Sequence, residues 1–204
     1  VKMMQIEAVD FFYVKMPDVT TEGDGSQDAL LVRVAAGGHV GWGECEAAPL
    51  VSIASLVCPR SHGACQPVIA SVLGETFDTA ADIARIARLV KRNSLDLLQT
   101  DHTLSGIEIA LWDLLGKRRQ EPVWRLLGFD RAYAKKPYAS VLFGDTPEET
   151  LEKARGIRAR NFQAAKFGWG PYGTGSVDAD RDQVHAAREG LGPDGILLID
   201  AGTV

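Results

Sequence analysis

The sequence changes pattern near residue 130, and no single layered architecture accommodates both sides of that change. Before it, strands come first and helices follow. Gln5-Ile6-Glu7-Ala8-Val9-Asp10-Phe11 alternates as a half-buried strand does, and Asp28-Ala-Leu-Leu-Val-Arg-Val-Ala35 reads as a second strand. Gly37-Gly38 then turns the chain into a third, His39-Val-Gly-Trp-Gly-Glu44. Three strands joined this way predict an antiparallel meander. Met16 to Gln27 is polar and too long for a tight hairpin, so a mobile loop is expected there. Residues 47–66 carry Pro49, Pro59 and Gly63 and read as irregular, with helices predicted at 67–73, 79–93 and 101–118. The last is the best marked: Thr100 or Asp101 caps it, Leu104, Ile107, Leu111 and Leu114 share a face, and Gly116 falls at its end. Pro122 opens a short helix that stops at Gly128.

After Asp130 the two kinds of element alternate. Pro137-Tyr-Ala-Ser-Val-Leu-Phe143 is a strand, and Thr146-Pro147-Glu148-Glu149 starts a helix with a cap, a first-turn proline and two acids at the positive end of the dipole. A strand to Lys166, a helix at 178–190 and a strand to Asp200 complete a βαβαβ series. The expected fold is an α+β domain over residues 1–130, followed over 131–204 by an α/β segment of parallel strands.

Lys166 and Asp200 close two of these buried strands, Phe162-Gln-Ala-Ala-Lys166 and Gly195-Ile-Leu-Leu-Ile-Asp200. A helix between them favours parallel neighbours, which puts both charges on the rim formed by the strands' carboxyl ends. Ligands bind and chemistry happens on that rim in open α/β sheets and (β/α)8 barrels. An ammonium beside a carboxylate there suggests a base next to a metal ligand. The structural alternative is an ion pair at a sheet edge.

Composition narrows the partners. At 204 residues, with 46% hydrophobic and 24% charged residues, the chain can bury a real core. A net charge of −5 offers nothing to nucleic acid or an anionic membrane. No apolar run approaches a bilayer span, and Val1-Lys2-Met3-Met4 does not begin a signal peptide. Cys45, Cys58 and Cys65 are odd in number without CxxC spacing, which suits a reducing cytoplasm. The four histidines lack the spacing of a zinc motif, and a polar loop accounts for His62 between Cys58 and Cys65.

Gly168-Trp-Gly170-Pro-Tyr-Gly173 matches the GxGxxG of dinucleotide-binding folds and follows a strand. The fingerprint helix, however, begins within the glycine run so that its N-terminus meets the pyrophosphate. Here helical periodicity starts only near Asp178, after Pro171 and Gly175. The glycines are better read as a long βα loop on an active-site rim, with a dinucleotide-binding module as the alternative.

The stretch Ser105-Gly-Ile-Glu-Ile-Ala-Leu-Trp-Asp-Leu-Leu-Gly-Lys-Arg-Arg-Gln-Glu-Pro-Val-Trp-Arg-Leu-Leu-Gly128 resembles the N-terminal signature of the mandelate racemase/muconate lactonizing enzyme family of the enolase superfamily. Gly41-Trp-Gly-Glu44 is similar to that family's third-strand end. The resemblance implies a capping domain and then the opening of a (β/α)7β TIM-like barrel, truncated after its third strand. It further implies α-proton abstraction from a small carboxylate substrate through an enediolate, with Mg2+ as cofactor, as an acid-sugar dehydratase or else a racemase/epimerase. Lys166 matches the second lysine of the family's Lys-x-Lys, the proton-abstracting position, while Ala164 replaces the first. Asp200 matches the first of three acidic magnesium ligands, followed by Ala201-Gly202 where many relatives have x-Asn. The other ligands are expected after residue 204, so this segment alone is expected to be catalytically incompetent. Substrate contacts are implied for Val19, Thr20 and Glu46 in the cap loops and for Trp169 after Lys166. The complete protein is expected to be a cytoplasmic homo-oligomer.

Overall fold

A computed structural model describes residues 3–19, 27–45 and 48–201. The chain forms two compact units, Val1–Ala132 and Tyr133–Val204.

In the first unit, β1 (Met4–Val14), β2 (Ala29–Ala36) and β3 (His39–Cys45) form the antiparallel meander. Gly37 and Gly38 turn the chain with φ of 56° and 80°, the double positive φ that a two-residue hairpin requires. The sheet has four strands rather than the three expected, because β4 (Thr76–Phe77) pairs with Met4 and Gln5. Two residues are too few to carry a strand's periodicity.

β1 also departs from simple alternation. Its register shifts between Ile6 and Ala8, so Ile6 lies opposite Ala36 while Val9, three residues on, lies opposite Val34. This bulge leaves Glu7 as the extra residue, and its carboxylate accepts a hydrogen bond from the Gly37 N–H at 3.3 Å.

The segment read as irregular contains a helix, α1 (Pro49–Val57), in which Pro49 occupies the first turn instead of breaking the chain. Of the 67–73 prediction, only a 3-10 turn at Val68–Ser71 forms. α2 (Ala80–Asn93) begins with a capping box between Thr79 and Asp82.

α3 (Thr100–Arg119) starts where expected but is capped differently. Gln99 precedes it with φ 62°, and the Thr100 hydroxyl donates back to the Ser94 carbonyl at 2.8 Å. It also runs past Gly116 and is stopped by Gln120 in the left-handed region at φ 55°. α4 (Val123–Leu126) follows Pro122.

α3 lies directly on β3. A Cβ on Gly43 would sit 2.1 Å from the Gly106 carbonyl oxygen, and one on Gly41 only 1.9 Å from that of Ala110. Backbone therefore meets backbone, and no side chain fits between. The signature helix also shields the sheet edge: Asp113 accepts from the Trp42 N–H at 2.8 Å, and Lys117 donates to the Val40 carbonyl at 3.2 Å. Leu30, Val32 and Val34 of β2 and Ile107, Leu111 and Leu114 of α3 anchor one apolar core.

The second unit is the alternating series: β5 (Ala139–Leu142), α5 (Pro147–Ala159), β6 (Ala164–Gly168), α6 (Val177–Leu191) and β7 (Ile196–Asp200). The strands are parallel in the order β5-β6-β7. Ala139, Phe143, Ala165 and Phe167 pack against Ala154, Ile157, Ala187 and Leu191 of the two helices. The opposite face stays open, with Ile196 at 47% and Leu198 at 39% exposure.

Candidate active site on the barrel strands

Strand periodicity places the site. Ser140 lies opposite Lys166, Lys166 opposite Leu198, and Gly168 opposite Asp200. Side chains two residues apart share a face. The open face thus carries Tyr138, Ser140, Lys166, Leu198 and Asp200, while Phe167 and Leu197 point to the helices. Lys166 does not end its strand as the sequence suggested; pairing continues through Phe167 to Gly168, whose carbonyl accepts from the Phe143 N–H at 3.0 Å. Glycine is required there, because a Cβ would lie 2.7 Å from the Asp200 carbonyl oxygen and 2.8 Å from its Cβ.

Lys166 Nζ donates to Asp200 Oδ2 at 2.7 Å, and both side chains are partly buried, 27% and 28% exposed. The ammonium also lies 5.9 Å from the centre of the Tyr138 ring. The hydrogen bond that Lys166 donates to Asp200 is the main cause that raises the Lys166 pKa above its ordinary 10.5, and partial desolvation opposes it without prevailing. In this arrangement the lysine is a cation. It becomes a base only when the Asp200 carboxylate is drawn to another positive charge. Ala164, buried two residues earlier, supplies no second ammonium.

Magnesium takes hard oxygens in near-octahedral geometry, usually from one or two carboxylates together with substrate and water. Asp200 fits the part of one such ligand. Among the described residues, no group of three or more His, Cys, Asp or Glu side chains is placed to hold a metal ion. The described residues fit one corner of a magnesium site and not the whole of it.

Trp169 follows β6 with φ 50° and is 47% exposed. Its loop is held by Tyr172, which stacks on Phe143 at 4.9 Å, and by the Gly173 N–H, which donates to Asp180 at 2.9 Å. α6 begins only at Val177, with Ser176 as its cap. The glycine run is therefore a folded rim loop and not a helix N-terminus.

In the first unit, Val19 is 58% exposed and lines a cavity of about 590 Å3 with Asp28, Glu44, Cys45, Pro49 and Ile109. Asp28 accepts hydrogen bonds from the Tyr13 hydroxyl and, at 2.8 Å, from the Met16 N–H, and the tyrosine bond is the main cause that lowers its pKa. Thr20, Glu46 and most of the expected loop at 17–27 lie outside the described residues. The His62 imidazole lies 3.4 Å from Asp96, while its backbone bridges to Cys65, whose N–H donates to the His62 carbonyl at 3.1 Å. Sequence reasoning missed Tyr138, Ser140 and Gly168. The signal for the first two was their even spacing along the strand with Lys166 as cross-strand partner, which register alone reveals.

The domain description "Mandelate racemase / muconate lactonizing enzyme, N-terminal domain" matches residues 13–128, more than half of the chain. The chain belongs to the mandelate racemase/muconate lactonizing enzyme family. Within the enolase superfamily, its first unit is the N-terminal capping domain and its three parallel strands are those of a partial barrel. A crystal structure from Rhodobacter sphaeroides, described as a predicted mandelate racemase, is 66% identical with a TM-score of 0.90, covering 96% of this chain and 50% of that one. The D-galactarolactone cycloisomerase of Agrobacterium fabrum is 33% identical over 80% of this chain and 41% of its own length. The arabinonate dehydratase of Saccharolobus solfataricus is 32% identical over 50% of this chain and 27% of its own. The chain thus spans about half the length of these relatives or less. No helix among the described residues is long and apolar enough to cross a membrane.

Proposed function

We propose that this chain forms the cap and opening barrel strands of a magnesium-dependent enzyme that abstracts the α-proton of a carboxylate substrate, most simply an acid sugar. The carrying observation is the 2.7 Å contact between Lys166 and Asp200 on one face of adjacent parallel strands. Lys166 takes the proton at its Nζ once Asp200 no longer holds the ammonium. Asp200 is one carboxylate ligand of the metal, and Tyr138 and Ser140 line the floor beside Lys166. Magnesium bound there would stabilise the negative charge that develops on the substrate carboxylate. Trp169, Val19, Thr20 and Glu46 are proposed to bound the substrate.

Dehydration of a polyhydroxy acid is favoured because several relatives are named for it: arabinonate, D-gluconate and D-gluconate/D-galactonate dehydratases. Loss of the C2 proton and the C3 hydroxyl yields an enol that becomes a 2-keto acid. Racemisation is the second reading, favoured by the relative named N-succinyl-L-Arg/Lys racemase. Because the described residues offer a single metal carboxylate, residues 1–204 alone are expected to bind magnesium weakly and to turn nothing over. Tight stoichiometric binding in calorimetry would contradict this.

The deciding experiment uses the intact protein with aldonic acids in deuterated water. Wild type should exchange the α-proton and form a semicarbazide-reactive keto acid, and Lys166→Ala should abolish exchange while substrate still binds. Exchange that is slowed but survives would reduce Lys166 to electrostatic support. Full exchange would remove it from the mechanism.

A further inference from the structure

A cavity that the proposed proton transfer does not use lies at the amino ends of the first two barrel strands. It measures about 450 Å3 and sits between the segment entering β5 and the turn from α5 into β6. Lys135, Lys136 and Arg160 line it with Asn161, Phe162 and Gln163, and none of its described lining residues is acidic. The Arg160 guanidinium rests over the Phe162 ring, 5.6 Å from its centre. Other cations of this unit have acceptors: Lys153 the Leu142 and Phe143 carbonyls, Arg155 Glu152, Arg181 Asp178, and Arg188 the Gly195 carbonyl. Among the described residues, no ion pair joins Lys135, Lys136 or Arg160. Arg160 alone, at the end of α5, would answer the negative end of that helix dipole. The two lysines come from a different segment. In a chain of net charge −5, three cations around a cavity without a carboxylate call for an anion.

We infer that this cavity is a binding site for a phosphate monoester of a small organic molecule, such as a sugar phosphate. Charge selects the phosphate. A monoester carries about −1.5 to −2 near neutral pH, and three cations match it better than the single charge of a carboxylate. Arginine forks onto phosphate through paired N–H groups, and the ring beneath Arg160 limits where its guanidinium can go. The lysines add point charge, and the exposed amides of Asn161 and Gln163 add donors for oxygens and hydroxyls. Size selects the organic part. The volume falls within the range of small-molecule sites, about 300–1,000 Å3, so a bare inorganic ion would leave most of it to water. Phe162 and Pro137 offer a carbon skeleton an apolar wall. Nucleic acid is a poorer occupant, because the acidic chain repels a long polyanion while a small ester feels mainly the three local cations. Asp200 closes β7 at the opposite, carboxyl end of the strands, so the two sites can be filled independently.

Isothermal titration calorimetry of the intact protein with glucose 6-phosphate, in buffer without phosphate or sulfate, tests this. Saturable binding is expected, weakening as salt is added because the contacts are ionic. Arg160→Gln should raise the dissociation constant about tenfold or more, and Lys135→Gln combined with Lys136→Gln about tenfold, as charge-assisted hydrogen bonds are lost. Circular dichroism should stay unchanged, since all three side chains are exposed. If the Arg160 variant misfolds, the lysine double variant decides. Inorganic phosphate, which cannot use the apolar wall, should bind about tenfold more weakly, and glucose should not bind. Lys166→Ala should leave the binding intact, so failure of the proposed proton abstraction and failure of this site are told apart. Absence of saturable binding would overturn the inference. So would binding that survives both cavity variants, binding that Lys166→Ala abolishes and Arg160→Gln spares, or inorganic phosphate that binds as tightly as the ester.

Discussion

The two units solve the packing of helices on a sheet in opposite ways. In the capping unit, α3 touches β3 through glycine, with Gly41, Gly43 and Gly106 each lying where a Cβ would collide. A Cβ on Gly106 itself would sit 2.4 Å from Cys45 Sγ. In the second unit, bulky side chains fill the space: Phe143 and Phe167 lie 5.5 Å apart under α5 and α6, and the other face carries Lys166 and Asp200. Backbone-to-backbone contact leaves the cap no room to repack, while the barrel strands pack one face against helices and carry the Lys166–Asp200 pair on the other. The difference explains why a signature helix without a single reacting group can be the most recognisable stretch of the chain.

The comparison breaks most sharply at Gly43. Gly43→Val should cost at least about 4 kcal/mol, because the clash is with main chain and nothing flexible can yield. Urea unfolding should show loss of the capping unit, and a stable variant would mean that the helix can move away. Phe167→Ala probes the other solution and should cost about 3 kcal/mol through a cavity. Its effect should be partly recoverable by a neighbouring larger side chain, as no glycine clash could be. Asp113→Ala removes the acceptor for the Trp42 N–H and should cost about 1 kcal/mol, with faster hydrogen exchange at Trp42.

Burial raises the Cys45 thiol pKa to about 11, so iodoacetamide at pH 8 should spare it in the folded chain and modify it after unfolding. Labelling of Cys45 in the native state would show that the α3–β3 contact opens. The smallest effect is at Lys166. Asp200 raises its pKa above 10.5, so the stabilisation is complete at neutral pH and fades as pH climbs through the raised value. The stability gap between wild type and Lys166→Met should therefore narrow only in strong alkali, and a gap closing near pH 7 would contradict the pairing.

Periodicity made most of this legible. The meander, the long helix and the βαβαβ alternation all follow from spacings of two and three to four residues, and a lysine and an acid at strand ends pointed to one rim. What escaped was of a different kind. β4 is too short to repeat, α1 begins with a proline that resembles a breaker, and Gln99 and Gln120 end or enter helices through backbone conformations that their side chains do not announce. Tyr138 reaches the site only through register across β5 and β6. The charge state of Lys166 was also beyond reach, because it depends on a hydrogen bond 34 residues away in sequence.

The extra residue in β1 works like a shift in reading frame. Before Glu7 the even positions, Met4 and Ile6, face the core; after it the odd ones, Val9 and Phe11, do. Every inward and outward assignment from Ala8 to Val14 hangs on that single count. Replacing Glu7 would cost a weak hydrogen bond, and deleting it would close the bulge and leave Ile6 and Ala8 on their present partners. Deleting one residue between Ala8 and Phe11 would instead put the strand out of phase, pushing Phe12 and Val14 inward. Alignments that place a gap anywhere in this strand therefore decide, without touching a single identity, which residues of a relative are wet and which are buried.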